Sequence, residues 1–476
     1  MALGIFSVSL WQPWLERDPK QVALNHAEQT LTWQALDSQV AHYAKALREQ
    51  GVRSGEVVTL VGKNHLHTVL WFLACTQVGA LCAFLAPQPL ARLQEKLATL
   101  YAEQSPKHLW LAPSCALSEE EITALNAHRL SLPDERDESV GGEKVSSQFS
   151  CEQLATLIFT SGSTGTPKAV AHTHQQHLVS ARGLLNKFVF TESDSWLLSL
   201  PLYHISGVAI LYRWLAVGAT LKIGTGDLQN DIAGVTHASL VPTQLKRLLD
   251  GRSRLTLKRV LLGGSHIPVE LAQMAATRGI DTWLGYGMTE AASTVTAKRV
   301  DGLAGNGELL DHRELRLVDG RIFIAGKTLA QGYYRQGQLV PLTNEQGWFD
   351  SKDLGRWQGN NLLIDGRADN LFISGGENVH CEEIEAVLNQ HPHVQVAIVI
   401  PVQDSEFGAR PVAVIRSEAE WCQAIGDTWC QAKLEKFKWP IMYFLLPDAL
   451  LDGGIKVSRA AVKAWLAANQ TQLTPL

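Results

Sequence analysis

Between Thr160 and Lys168 the chain reads TSGSTGTPK, directly after the strand-like run TLIF and ahead of AVAHTH. Gly162 and Gly165 let backbone N–H groups turn toward an anion. The hydroxyls of Ser161, Ser163, Thr164 and Thr166 add donors, and Lys168 adds a positive charge. Such a loop suits the binding of a polyphosphate. It is not a Walker A loop, which needs GxxxxGK followed by Ser or Thr. Here the glycines are three apart, and Thr166 and Pro167 separate the second of them from the lysine. In isolation a Ser/Gly run reads equally well as a flexible surface turn. The apolar strand before it and the lysine after it favour phosphate.

Other segments carry polar residues in settings that chemistry could use. SLPLYHISG (199–207) places His204 after an apolar run, and LLGGS (261–265) holds Gly263, Gly264 and Ser265. GYGMTE (285–290) sets Tyr286 between Gly285 and Gly287, then adds Thr289 and Glu290. WFDSKDLG carries Asp353, GRADNLFISGGEN carries Arg367, Asp369, Gly375, Gly376 and Glu377, and GGIKVSR carries Lys456. Taken singly, each has a plainer reading. Asp353 and Arg367 would make a surface ion pair worth about 0–1 kcal/mol. Lys456 would be one solvated lysine among many, His204 a core histidine, and the glycines after Ser374 a turn. His172 and His174 suggest a metal pair, but two residues apart at the entrance of a helix-like segment they share no face. They read as structural, and no Ser-His-Asp arrangement stands out.

In this order, the segments resemble the core motifs of the adenylate-forming ligases: acyl-CoA synthetases, aryl-CoA ligases, firefly luciferase and peptide-synthetase adenylation domains. The resemblance covers nearly the whole chain. It implies a carboxylic acid that attacks the α-phosphate of ATP, releasing pyrophosphate, and a CoA thiol that then displaces AMP. ATP and CoA are substrates and Mg²⁺ the cofactor. Because the substrate supplies the first nucleophile, the protein's work is positioning and electrostatic stabilisation. By the same resemblance, Thr160 to Lys168 cradle the triphosphate, Glu290 binds the metal and Thr289 touches the α-phosphate. Gly263, Gly264 and Ser265 line the adenine side together with Tyr286, while Asp353 holds the ribose beside Arg367. Lys456 serves adenylation, His204 gates the carboxylate, and Gly375, Gly376 and Glu377 follow the CoA tunnel. Asp369 is the implied hinge. One departure concerns the lysine: many relatives read SGK there, whereas this chain reads GGIK.

Amino-acid-activating members usually carry an aspartate where this chain has YHISG, so a free amino acid is disfavoured. LPLYHISG, THASLVPTQL, LLGGSHIP, GYGMTEAAST and FISGGENVHCEEIE look most like members that activate an aromatic dicarboxylate through its aliphatic arm. Gly285 and Gly287 would line that acid's site. Its second carboxylate needs a cation, and VAILYRWLAVGATL (208–221) is apolar except for Arg213. No Asp or Glu lies between Asp194 and Asp227 to pair with it locally. A snorkelling or structurally paired arginine is the alternative. Another aryl- or acyl-CoA ligase, or a non-catalytic nucleotide-binding relative, remains an alternative for the whole chain. The presence of Lys168, Glu290, Asp353, Arg367 and Lys456 together speaks against the latter.

The elements that must position these residues alternate. Thr32 stands as an N-cap before Leu36, Val40, Tyr43 and Leu47, the spacing of an amphipathic helix. VVTLVG, ALCAFLA, HASLV, RVLLGG and DTWLGYG read as strands separated by helical segments, which predicts an α/β fold with largely parallel sheets. From about residue 305 short alternating runs predict a small antiparallel β subdomain. A large adenylation domain over 1–368 and a mobile α+β lid over 369–476 follow, the tail being a good size for a small domain. The run from 131 to 150 reads as a surface connection. Net charge is −5, which gives no electrostatic case for nucleic acid or an anionic membrane. Seven scattered cysteines without CxxC spacing and a start lacking a basic leader predict a cytoplasmic protein. A homo-oligomer is left open.

Overall fold

The computed structural model describes residues 8–27, 29–133, 149–160, 167–251, 254–263, 267–431, 433–452, 456–469 and 475–476. The connection predicted over 131–150 lies mostly outside these residues.

Two large sheets dominate. An eight-stranded sheet runs in the order Gln338–Val340, Gly332–Arg335, Lys168–Thr173, Leu154–Thr160, Leu81–Leu85, Val57–Val61, His108–Leu111, His128–Arg129. A nine-stranded sheet runs Glu308–Leu309, Ser293–Arg299, Asp281–Met288, Arg259–Leu262, His237–Leu240, Ser195–Leu197, Thr220–Ile223, Val22–His26, Gln29–Thr32. Pairing is parallel through the middle of each sheet. Four strands at one end of the first are antiparallel, as are both edges of the second. The expectation of largely parallel sheets therefore holds from Leu154–Thr160 to the His128–Arg129 edge of the first sheet and through the centre of the second, with antiparallel strands at the remaining edges.

Helices fill the space between the sheets. The helix Trp33–Glu49 starts where Thr32 accepts the Ala35 N–H at 3.2 Å, and buries Leu36, Val40, Tyr43 and Leu47. Leu66–Val78 is apolar nearly all round because it is covered on all sides, and Gly79 at φ 80° ends it in the left-handed conformation a glycine tolerates best. These two, with His174–Leu185 and Ile205–Val217, form the main core. Outer helices cover the far faces: Leu90–Leu100 on the first sheet, Pro242–Asp250 and Val269–Thr277 on the second.

The segment after Lys168 corrects the sequence reading. It is not helix-like at once: Lys168–Thr173 is a strand, antiparallel to Leu154–Thr160 with Thr160 opposite Lys168, and the helix begins at His174. Cross-sheet pairing overrides the local signal. The predicted β subdomain is present as a four-stranded antiparallel sheet of Arg313–Val318, Arg321–Gly326, Phe349–Gln358 and Asn361–Arg367. Beyond the short 3-10 turn Ala368–Asn370, a five-stranded sheet is built from strands between Leu371 and Leu445, with the helices Cys381–Leu388 and Arg459–Asn469 on opposite faces.

Candidate active site

The ends of the two large sheets and the β subdomain bring Lys168, Glu290, Tyr286, Asp353, Arg367 and Asp369 together. Lys168 opens its strand, and its Nζ stands 5.3 Å from the ring centre of Tyr333 on the neighbouring strand. Tyr333 donates from its hydroxyl to Oε1 of Glu290 at 3.2 Å. Glu290 sits in the 3-10 turn Thr289–Ala291 that ends the strand Asp281–Met288. Burial pushes its carboxyl up, partly offset by its own backbone, by Tyr333 and by the charges of Arg367 and Lys168. A desolvated carboxylate with a single side-chain hydrogen bond, from Tyr333, has anionic oxygen of the kind that a hard divalent cation prefers. Ser161 to Thr166, which join the paired Thr160 and Lys168, lie outside the described residues, as do Gly264 and Ser265.

The second group hangs on the β subdomain. Asp353 and Arg367 face each other across adjacent strands, and Arg367 Nη1 donates to Asp353 Oδ1 at 3.2 Å. The other carboxylate oxygen accepts from the Tyr286 hydroxyl at 2.5 Å. Asp353 is only 7% exposed, so this is no surface ion pair. Burial raises its carboxyl, against the Tyr286 bond and the Arg367 charge. The remaining Arg367 donors reach Asp369, Nε to Oδ1 at 2.9 Å and Nη2 to Oδ2 at 3.3 Å. Gly263 follows the strand Arg259–Leu262, and among the described residues nothing lies within 4 Å of where its Cβ would project. Gly285 and Gly287 differ. A Cβ at Gly285 would lie 2.8 Å from Thr294 Cγ2, and one at Gly287 1.8 Å from the Ser293 carbonyl oxygen. Their shared reason is the close approach of the strand Ser293–Arg299, not open space for a ligand.

A third group lies on and before the helix Ile205–Val217. His204 is its N-cap residue, and its N–H reaches Pro201 O at 3.1 Å. Asn64 clamps the loop before it, donating to Leu198 O and Leu200 O at 3.0 and 2.9 Å and accepting from Leu202 N at 2.9 Å. Arg213 lies inside the protein, 3% exposed. Its guanidinium carbon stands 5.2 Å from the Trp196 ring centre, and Nη2 makes one long bond of 3.4 Å to Thr294 Oγ1. Nε is buried without an acceptor among the described residues. No carboxylate pairs with it among the described residues. Burial, and then the charge of Arg313, push its pKa down to about 9. A buried cation in this condition asks for an anion.

His172 and His174 are fully buried, and burial drives both pKa values down to about 3. His174 pairs with the Tyr212 hydroxyl at 2.8 Å. Among the described residues no group of His, Cys, Asp or Glu is placed to hold a metal on side chains alone.

Residues 11–334 match the AMP-binding enzyme family. The chain belongs to that family. It is 42% identical to the 2-succinylbenzoate–CoA ligase of Salmonella typhimurium over 96% of this chain and 98% of that protein. To the enzyme of the same name from Escherichia coli it is 42% identical over 98% of this chain and 100% of that one. Among solved structures it superposes on an arginine-to-lysine variant of E. coli MenE with bound OSB-AMS, at TM-score 0.85 and 40% identity, covering 97% and 99% of the two chains. The Bacillus subtilis MenE complex with ATP and magnesium matches at TM-score 0.82 and 26% identity over 96% and 99%. The fold is that of this family, with its separate C-terminal unit.

Gly375 and Gly376, at φ 60° and 90°, form the turn between the strands Leu371–Ser374 and Glu377–His380. Lys456 opens a two-residue strand whose backbone pairs with Asp452. Sequence reasoning missed Tyr333, which joins Lys168 to Glu290, and Asn64 and Thr294. Thr294 closes the quoted run GYGMTEAAST without having been singled out, while Tyr333 and Asn64 stand in no quoted run, so that strand pairing and loop packing bring them in.

Proposed function

We propose that this AMP-binding enzyme ligates 2-succinylbenzoate to coenzyme A through an acyl-adenylate, the ligase step of menaquinone biosynthesis, with ATP converted to AMP and diphosphate. Lys168 and the loop from Thr160 neutralise the triphosphate. Asp353, oriented by Tyr286 and Arg367, accepts the ribose hydroxyls, and the adenine lies along Gly263. Thr289 donates to the α-phosphate, and Glu290, held by Tyr333, is the residue that would carry Mg²⁺, which screens phosphate charge when bound. Lys456 adds charge at the α-phosphate during adenylation only. His204 stands at the carboxylate entrance, and Gly375, Gly376 and Glu377 border the pantetheine path. Because Lys456 and that turn serve different steps, the unit from Asp369 onward rotates against residues 1–368 between them. Its seven cysteines are all free thiols, which suits the cytoplasm, and no helix among the described residues is long and apolar enough to cross a membrane.

The observation that carries the choice of acid is Arg213, a buried guanidinium with no carboxylate partner among the described residues. A planar fork matches a benzoate carboxylate, and a simple fatty or aryl acid would leave it unpaired. The relatives' names point to the same acid. The test is ATP–pyrophosphate exchange against a panel of carboxylic acids. 2-Succinylbenzoate is expected to drive exchange far above acids lacking the ring carboxylate. Equal exchange with benzoate or a fatty acid would overturn the assignment.

A further inference from the structure

A second buried arginine lies beside the first and is explained by nothing above. Arg313 is 4% exposed, and its donors go to carbonyls and a hydroxyl instead of a carboxylate. Nε donates to Thr294 O at 3.0 Å and Nη1 to Asp311 O at 2.7 Å. Nη2 reaches Ser180 O at 3.0 Å and Ser180 Oγ at 2.8 Å. Ser180 Oγ in turn donates to Ala292 O at 2.5 Å. The fork thus grips both ends of the three-residue segment from Ala292 to Thr294. That segment needs gripping: Ala292 at φ 51° and Ser293 at φ 92° both sit in the left-handed region that side chains disfavour. Room for the fork comes from Gly183, where a Cβ would stand 2.1 Å from Nη1.

The segment links two parts of the site. It follows Thr289 and Glu290 directly, and Thr294 supplies the hydroxyl that Arg213 reaches. We propose that Arg313 is a positioning residue for acid specificity: with Ser180 it fixes the 292–294 backbone, so that Thr294 holds the Arg213 guanidinium where the second carboxylate docks. Arg313 touches no substrate. The proposal rests on the reading of Arg213 given above.

The test uses the full chain with ATP and CoA and measures KM for 2-succinylbenzoate, KM for ATP and kcat. Arg313→Lys keeps the charge but loses the fork, and Ser180→Ala removes the hydroxyl that both accepts from Arg313 and donates to Ala292. Each is expected to raise KM for the acid about tenfold, while KM for ATP and kcat move less than about threefold, as loss of one or two buried hydrogen bonds suggests. An analogue without the ring carboxylate should show no added penalty. In an Arg213→Ala background, Ser180→Ala should cost nothing more for the acid, because the group it positions is gone. Equal losses for acid, analogue and ATP, or additive losses in the double variant, would make Arg313 a purely structural clamp and overturn the proposal. Should Arg313→Lys fail to fold, Ser180→Ala and the double variant decide alone. If Arg213→Ala itself shows no penalty tied to the ring carboxylate, the acid-site reading fails first. If it does show one while Arg313→Lys and Ser180→Ala leave the acid KM unchanged, only the positioning role falls.

Discussion

Replacing Arg213 by methionine should make the protein more stable and a worse enzyme. The guanidinium is buried, and among the described residues it has one 3.4 Å bond and an Nε without an acceptor. Its pKa is pushed down to about 9, first by burial and then by the charge of Arg313. Against an ordinary arginine, at about 1.36 kcal/mol per tenfold in proton affinity, that is a folded-state penalty on the order of 5 kcal/mol. Methionine is similar in reach and apolar, so it removes the penalty, but it also loses the contact with the Trp196 face. A net gain of roughly 1–3 kcal/mol for the ligand-free protein is expected. Binding should move the other way: losing the partner of a desolvated carboxylate costs about 2–5 kcal/mol, or on the order of a hundredfold in kcat/KM for 2-succinylbenzoate. Chemical denaturation without ligand gives the first quantity, and ATP–pyrophosphate exchange over a range of acid concentrations gives the second. ATP KM should barely move, and Arg213→Lys should recover only part of the loss. A variant that is strongly destabilised, and equally impaired with an analogue lacking the ring carboxylate, would show that Arg213 is structural.

Lys456→Ala should cripple acyl-adenylate formation by roughly 3 kcal/mol while sparing CoA transfer from a supplied acyl-adenylate, since its charge is needed only in the first step; parallel loss in both half-reactions would reassign the residue. Glu290→Gln keeps shape but removes an anionic oxygen, so the Mg²⁺ concentration for half-maximal rate should rise steeply in a magnesium titration. Above about pH 9 Arg213 loses its proton in the folded, ligand-free protein while the unfolded chain keeps it. The folded state then binds fewer protons, so this linked contribution to stability rises with pH, whereas kcat/KM for the acid should fall; a flat alkaline limb would count against a charged Arg213. Asp369→Pro should restrict the turn that its carboxylate shares with Arg367 and impair one half-reaction more than the other; equal small effects would move the hinge elsewhere.

Sequence alone determined what local periodicity and ordered motifs can carry. The helix after Thr32, the strands Val57–Val61 and Arg259–Leu262, and the change to antiparallel texture after residue 305 follow from apolar spacing, caps and turn residues. Lys168, Glu290, Asp353, Arg367 and Lys456 stand out through the order of their segments, which resembles that of the adenylate-forming ligases, each having a plainer reading when taken singly. Tertiary structure decided the rest, through contacts between residues far apart in the chain. The segment after Lys168 became a strand because Leu154–Thr160 on one side and Gly332–Arg335 on the other supplied partners for its backbone. Tyr333 reached Glu290 across 43 residues by that same pairing. Asp353 proved buried because Tyr286 and Arg367 close over it. That no acid among the described residues lies beside Arg213 could be read from the chain only as far as its neighbours in sequence. Whether a distant aspartate or glutamate folds back to meet it depends on packing. Here, among the described residues, packing brings Trp196, Thr294 and a second arginine instead.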